Sequence, residues 1–451
     1  MKNCWLFFSI ICLGNGCFLN GCDYNGEHSK PFCTDEQDFY VGDVHITANT
    51  ELEKLASCRS IEGSLDIRCE RCDDLSPLKN LAHVTDRLRI ARCPMLTSLA
   101  PLENVSGYVE DISIFDNDGL IDLSGLQNIQ ATSRLLIGDN AQLESLHGLE
   151  GLTEIEGGID IERNSSLTSI RALKNVRGYL TDNIHIEGND VLDSCSGLEG
   201  IHGTDSGLIV TDNHRLRNLV GLSGLERVRT LHVGRSESLT ELTGLSALRK
   251  IEYLNLRRTN IENLDGLCAL EELTNLNLDE NPVLENIDAA SIMADYASEI
   301  YISDCPRLTE LPPFSNTISI KWLFLSQLKI ENLNAFENLM FVDSLRLIEL
   351  PHLITLSGLE NLVHIDTDLN IENNTALEDI SALLGTRPNE QNLEMSSNVY
   401  ILENPLLPTC DAIAVGELME KSRQNRKCVE GNQRDDCPEY ICEFLMEDDY
   451  E

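Results

Sequence analysis

The chain has 451 residues, with 34 basic and 75 acidic side chains and a formal charge of -41 at pH 7. Hydrophobic residues make up 42% and charged ones 24%, so there is apolar content for a core and the acidity does not imply disorder. A field of this sign repels phosphate backbones and anionic bilayers, which excludes nucleic-acid binding, and with only 5% aromatics the interior must be packed by aliphatic side chains.

The N-terminus reads as an export signal over residues 1–21. Lys2 precedes an apolar run from Cys4 to Leu13, and Gly14, Asn15 and Gly16 follow. The run is too short to span a bilayer, which takes about 20 residues. Leu19-Asn20-Gly21-Cys22 resembles the bacterial lipobox, which implies that Cys22 is the lipidated first residue of the mature chain. Simple cleavage and secretion is the alternative. Residues 22–43 are expected to form an acidic tether and N-terminal cap, residues 44–404 a repeat array, and residues 405–451 a cysteine-containing cap and acidic tail.

Export favours disulfides. The candidates cluster at the two ends: Cys33, Cys58, Cys69 and Cys72 early, Cys410, Cys428, Cys437 and Cys442 late. Cys69-Glu70-Arg71-Cys72 has zinc-knuckle spacing, but no second such pair or histidine pair follows, so a disulfide is expected there.

Between the ends one pattern recurs: aliphatic-x-aliphatic, an Asn, then leucines every third residue. A clear copy is Leu135-Leu136-Ile137, Asn140, Leu143, Leu146, Leu149, Leu152, Ile155. Strand starts fall at Val44, Leu65, Leu88, Ile112, Leu135, Ile159, Ile184, Leu208, Leu231, Leu254, Leu276, Ile300, Leu323, Leu345, Leu369 and Val399, a period of about 24 residues. These define coils 1 to 16. Alternation with period two makes each triplet a short strand with one face inward, and stacking the coils forms one long parallel sheet. The Asn turns the chain, and its amide can serve backbone groups of its own and the adjoining coil. That column is expected at Asn49, Asn117, Asn140, Asn164, Asn189, Asn213, Asn281, Asn374 and Asn404, with Cys93 and Cys305 as packed thiols in two further coils. Leucines at three-residue spacing suit 3₁₀ turns.

Asn104-Val105-Ser106-Gly107-Tyr108-Val109 and Asn175-Val176-Arg177-Gly178-Tyr179-Leu180, each before a strand, resemble elements of the receptor L-domain family. The coils from Leu254 to Ile287 and Leu323 to Leu339 resemble internalin-type leucine-rich repeats. The resemblance implies a right-handed parallel β-solenoid of about sixteen leucine-rich coils with braced caps. No cysteine-rich receptor module or kinase follows, so receptor signalling is not implied.

Helices are expected at the insertion Asp288–Tyr296 and over Asp411–Met419, the second capped by Thr409 or Asp411. Arg387–Asn392 expands the penultimate coil. Asp116-Asn117-Asp118-Gly119 lacks the closing Glu of a calcium loop and reads as a solvated turn. His185 and His232 take outward strand positions two coils apart, too far to share a metal, and read as solvent-facing. No metal or cofactor is expected.

The one departure on the outward face is Tyr253, Arg257, Tyr301, Trp322, Phe324, Arg346 and Ile348, in coils 10 to 14. Aromatics beside arginines are what interaction hot spots favour, and folding of loops over them is the alternative. The expected protein is a non-catalytic, exported, monomeric binding or adhesion protein of the cell envelope. It touches the membrane only through its lipid and offers its concave sheet to a protein or glycan. A secreted internalin-like adhesin is one alternative, and a polysaccharide-active β-helix enzyme is another.

Overall fold

The computed structural model describes residues 31–385, 393–395, 398–418, 426–433, 437 and 440–444. The export segment, Cys22 and the 387–392 expansion lie outside the described residues, as does the side chain of Cys442.

The sixteen strand starts stack in a single register. Val44 pairs with Leu65, Leu65 with Leu88, Leu88 with Ile112, and so on without a slip to Leu369 and Val399, every step parallel. The result is a leucine-rich parallel β-solenoid. Inward strand residues such as Leu135, Ile137, Ile159 and Ile161 are 0% exposed, and they join the spaced leucines in one continuous aliphatic core. The leucine turns close as short 3₁₀ segments, among them Ser76–Leu78, Arg171–Asn175 and Asn334–Phe336. Among the described residues no helix is long and apolar enough to cross a membrane.

Two polar columns tie coil to coil. In the first, each Asn donates to an inward-strand carbonyl of the preceding coil, as Asn117 does to Ile90 and Asn189 to Ile161, both at 2.9 Å. Its Oδ1 accepts the N–H of the column residue one coil earlier, from Cys93 at 3.1 Å and Asn140 at 3.2 Å. Asn213, Asn281, Asn374 and Asn404 repeat the pattern. Cys93 and Cys305 stand in the column as buried free thiols. In the second column, on the outer side of the coils, Asn80, Asn104, Asn128, Asn175, Asn338 and Asn361 donate to the preceding coil.

Asn49 departs from the expectation. It is exposed and opens the short helix Asn49–Leu52, whose entry is held by Glu51 accepting from the Thr47 and Ala48 amides. A column Asn needs a preceding coil to donate to, and coil 1 has none. The residue before each column position takes the left-handed conformation, at thirteen non-glycine sites from Arg92 (φ 55°) to Glu403 (φ 55°). Glycine is required elsewhere, where coils touch: a Cβ on Gly148 (φ +109°) would lie 2.0 Å from the Leu123 carbonyl oxygen.

The strand Arg426–Glu430 adds a further parallel rung, Val399 against Lys427, and Asn432 extends the Asn column beneath Asn404. The repeat is hidden there because Lys427 replaces the inward aliphatic. It is 8% exposed, and its ammonium meets Glu417. Tyr440–Phe444 then pairs antiparallel and covers the edge. At the other end Phe39–Val41, Ser60–Glu62 and His83–Val84 form a separate small parallel sheet. Cys33–Cys58 and Cys69–Cys72 brace this end and Cys410–Cys437 the other, and Cys428 is also disulfide-bonded.

Both expected helices are changed. Asp288–Ile292 is a 3₁₀ turn with Ala290 and Met293 in the core, so the insertion is an ordinary coil turn. Thr409–Gly416 is helical, but its N-cap is Pro408, and the Thr409 hydroxyl donates to Gln433 O instead of capping.

Candidate functional site

The outward face of the sheet is organised in columns, because in-register parallel stacking places position i of every coil in one row. The first column runs Tyr253, Asn275, Glu299, Trp322, Ser344, Asp368. The second runs Asn277, Tyr301, Phe324, Arg346, Asn370. The third holds Arg257, Asp279, Ser303, Ser326 and Ile348. The seven sequence-derived residues therefore divide among three rows.

Four of them converge. Tyr301 and Phe324, neighbours in one row, stack with ring centroids 4.5 Å apart and planes within 8°. The rung spacing imposes that contact. Trp322 stands beside them, 52% exposed, with the Lys321 ammonium 4.8 Å from its ring centroid. Arg346 follows Phe324 in the same row. With Glu299 and Asp368 these side chains line a cleft of about 430 Å³. Among the described residues the cleft is lined from the sheet face alone, and the aromatics of the neighbouring turns, Phe314 and Phe336, pack against each other at 5.2 Å in the core.

Tyr253 joins the cleft only indirectly. Its hydroxyl donates to Glu299 Oε2 at 3.1 Å, two coils away, and burial beside that carboxylate pushes its pKa up to about 12. Ile348 is half-buried at the end of its strand, outside the cleft.

Both arginines of the stretch are ion-paired. Arg257 pairs with Asp279 at 2.8 Å and Glu280 at 3.0 Å, and Arg346 pairs with Asp368 at 3.1 Å. Other arginines on this face are also answered by a carboxylate one coil on, as in Arg87–Asp111 at 3.2 Å and Arg134–Asp160 at 2.7 Å. The rows set this up, because residues of opposite sign one repeat apart become neighbours. The cleft is therefore an aromatic slot bordered by the Arg346–Asp368 pair and the Glu299 carboxylate.

Sequence reasoning missed a second cluster. Register pairs Asp160 with His185 and Glu162 with Glu187, a two-by-two square on the outward face of coils 6 and 7. His185 Nε2 lies 2.8 Å from Glu187 Oε2, and Nδ1 lies 3.7 Å from Asp160 Oδ1 and 3.6 Å from Glu162 Oε1. Burial disfavours the charged imidazole, but the Asp160 and Glu187 carboxylates and the charge of Glu162 outweigh it, and the pKa rises to about 9. His185 is thus half-buried and enclosed, unlike the solvent-facing residue expected. The signal was present in Ile159-Asp160-Ile161-Glu162 and Ile184-His185-Ile186-Glu187, one repeat apart. His232 behaves oppositely: burial and the Arg235 charge hold its pKa below the usual imidazole value.

No family model and no curated protein matches the chain. The solved structures that match the chain include two at low identity and low TM-score. An internalin, InlF, from Listeria monocytogenes str. 4b F2365 has a TM-score of 0.40 at 17% identity, over 68% of this chain and 87% of that one. TLR13 in its complex with ssRNA13 has a TM-score of 0.28 at 13% identity, over 88% of this chain and 85% of that one.

Proposed function

We propose that the protein is an exported, non-catalytic binding protein of the cell envelope that engages a protein or glycan through the concave sheet of coils 12 to 14. The observation carrying this reading is the open cleft holding Trp322 and the stacked Tyr301–Phe324 pair. An exposed Trp beside stacked rings on an otherwise polar sheet is a surface with energy to gain from a partner. The ion-paired border suits a neutral or mixed-charge ligand, since Arg346 is already matched by Asp368. Trp322 and Arg346 are the anchors. Alanine at such a position costs about 2 kcal/mol or more, roughly thirtyfold in affinity. Once a partner is captured from envelope extract, Trp322→Ala and Arg346→Ala should each weaken binding by that factor while the fold persists. Wild-type affinity in both variants places the site elsewhere.

The disulfides at both ends support an oxidising destination. Lipid at Cys22 is the proposed anchor, and Cys22→Ser should move the protein from the membrane fraction to the soluble one in a bacterial host. Unchanged membrane partition contradicts lipidation.

A further inference from the structure

The His185 cluster lies far from the aromatic cleft, five rungs from coil 12 and so about 24 Å along the sheet. Its geometry is not that of an ordinary ion pair. The imidazole makes one hydrogen bond, Nε2 to Glu187 at 2.8 Å. Its other nitrogen faces Asp160 Oδ1 at 3.7 Å and Glu162 Oε1 at 3.6 Å, both beyond hydrogen-bond length. Separations of that size are what donor atoms show around a common cation, when each bond is about 2.0–2.2 Å and the angles are somewhat wider than tetrahedral.

We propose that Asp160, Glu162 and His185 form a binding site for a divalent transition-metal cation of the zinc class. One donor atom from each residue lies within 4.8 Å of the other two. Glu187 on the far ring nitrogen completes a carboxylate–histidine–metal arrangement, in which the outer carboxylate fixes the tautomer and leaves the inner nitrogen to bind. Arg134 holds Asp160 at 2.7 Å, and Arg163 holds Glu162 at 2.6 Å, so both carboxylates are oriented from outside the site. The nitrogen donor selects zinc-like ions over calcium or magnesium, which take oxygen shells. Three protein ligands leave a coordination position open toward the concave groove. The two arginines reduce the net negative charge and therefore limit affinity. His232 contributes nothing, because Ile209 stands between it and His185 in the row.

The test uses untagged full-length protein stripped with EDTA and titrated with Zn²⁺ by calorimetry and with Co²⁺ by visible absorption. One equivalent of each should bind, with Co²⁺ giving the d–d band of a low-symmetry site. His185→Gln should abolish both signals, Glu162→Gln should weaken them by at least about tenfold, and His232→Gln should leave them unchanged. Far-UV circular dichroism checks each fold. If His185→Gln does not fold, Glu162→Gln, at a partly exposed position, decides the matter. The proposal is overturned if wild-type protein binds no equivalent, or if His185→Gln or a folded Glu162→Gln binds as wild type does, which would indicate only the diffuse acidic surface.

Discussion

Replacing Asn140 by Leu is expected to cost on the order of 3–5 kcal/mol. The side chain is fully buried and serves both neighbouring coils. Its Nδ2 donates to the carbonyls of Ile114 at 3.0 Å and Gly138 at 2.8 Å, and its Oδ1 accepts from the Asn117 amide at 3.2 Å. Leucine shares its branched heavy-atom skeleton but leaves these groups unpaired, and each buried orphan costs roughly 1–3 kcal/mol before relaxation. The column also offsets a second cost, because Asp139 just before it is held at φ 53° in the left-handed region. Leu328 and Leu350, five residues into their own coils, show that the position accepts leucine sterically. Native-state hydrogen exchange reads the effect locally: the Asn117 amide should lose protection in Asn140→Leu. Protection and a denaturation midpoint equal to wild type would show that this asparagine is not structural.

The largest expected pH effect comes from His185. Its folded pKa of about 9 stands above the ordinary imidazole value of 6.5, so the protonated ring is the form the fold favours. Its contribution is fully present below pH 6.5 and is lost as pH rises through about 9. On the order of 2 kcal/mol is at stake. The groups facing the ring are Asp160, Glu162 and Glu187, with Arg134 and Arg163 behind the carboxylates, and Arg235 and His232 further along the sheet. In metal-free buffer, wild-type stability should fall between pH 6.5 and 9 relative to His185→Gln. Parallel profiles for the two proteins would contradict the assignment.

How far the sequence could be read follows from what repeats. The strand triplets are legible because burying Leu135 and Ile137, or Ile159 and Ile161, forces alternation every 24 or so residues. A feature that recurs in many coils declares itself, including the column from Asn117 to Asn404. A feature used once does not. Lys427 occupies an inward site by pairing with Glu417, so the last rung and Asn432 escaped notice. Asn49 matched the pattern but lacked the preceding coil that gives the pattern its meaning.

The candidate cleft was legible as an excess of outward aromatics, since outwardness follows from strand parity. Its electrostatics were not, because charge pairing runs between coils: Arg346 looks free until the register sets Asp368 one row over. The same blindness hid the His185 square, whose members are 23 to 27 residues apart across the coils and become neighbours only through stacking.

Docking of a partner on the concave face at coils 12 to 14 is tested, without knowing the ligand, by site-specific photo-crosslinking in the producing cell. p-Benzoylphenylalanine is placed at position 322, within the cleft, and separately at position 337, an exposed site beside the outer 3₁₀ turn Asn334–Phe336. After irradiation, a discrete adduct of higher mass is expected from position 322 and none from position 337. Equal labelling at both positions, or an adduct only from 337, would contradict the placement of the binding surface.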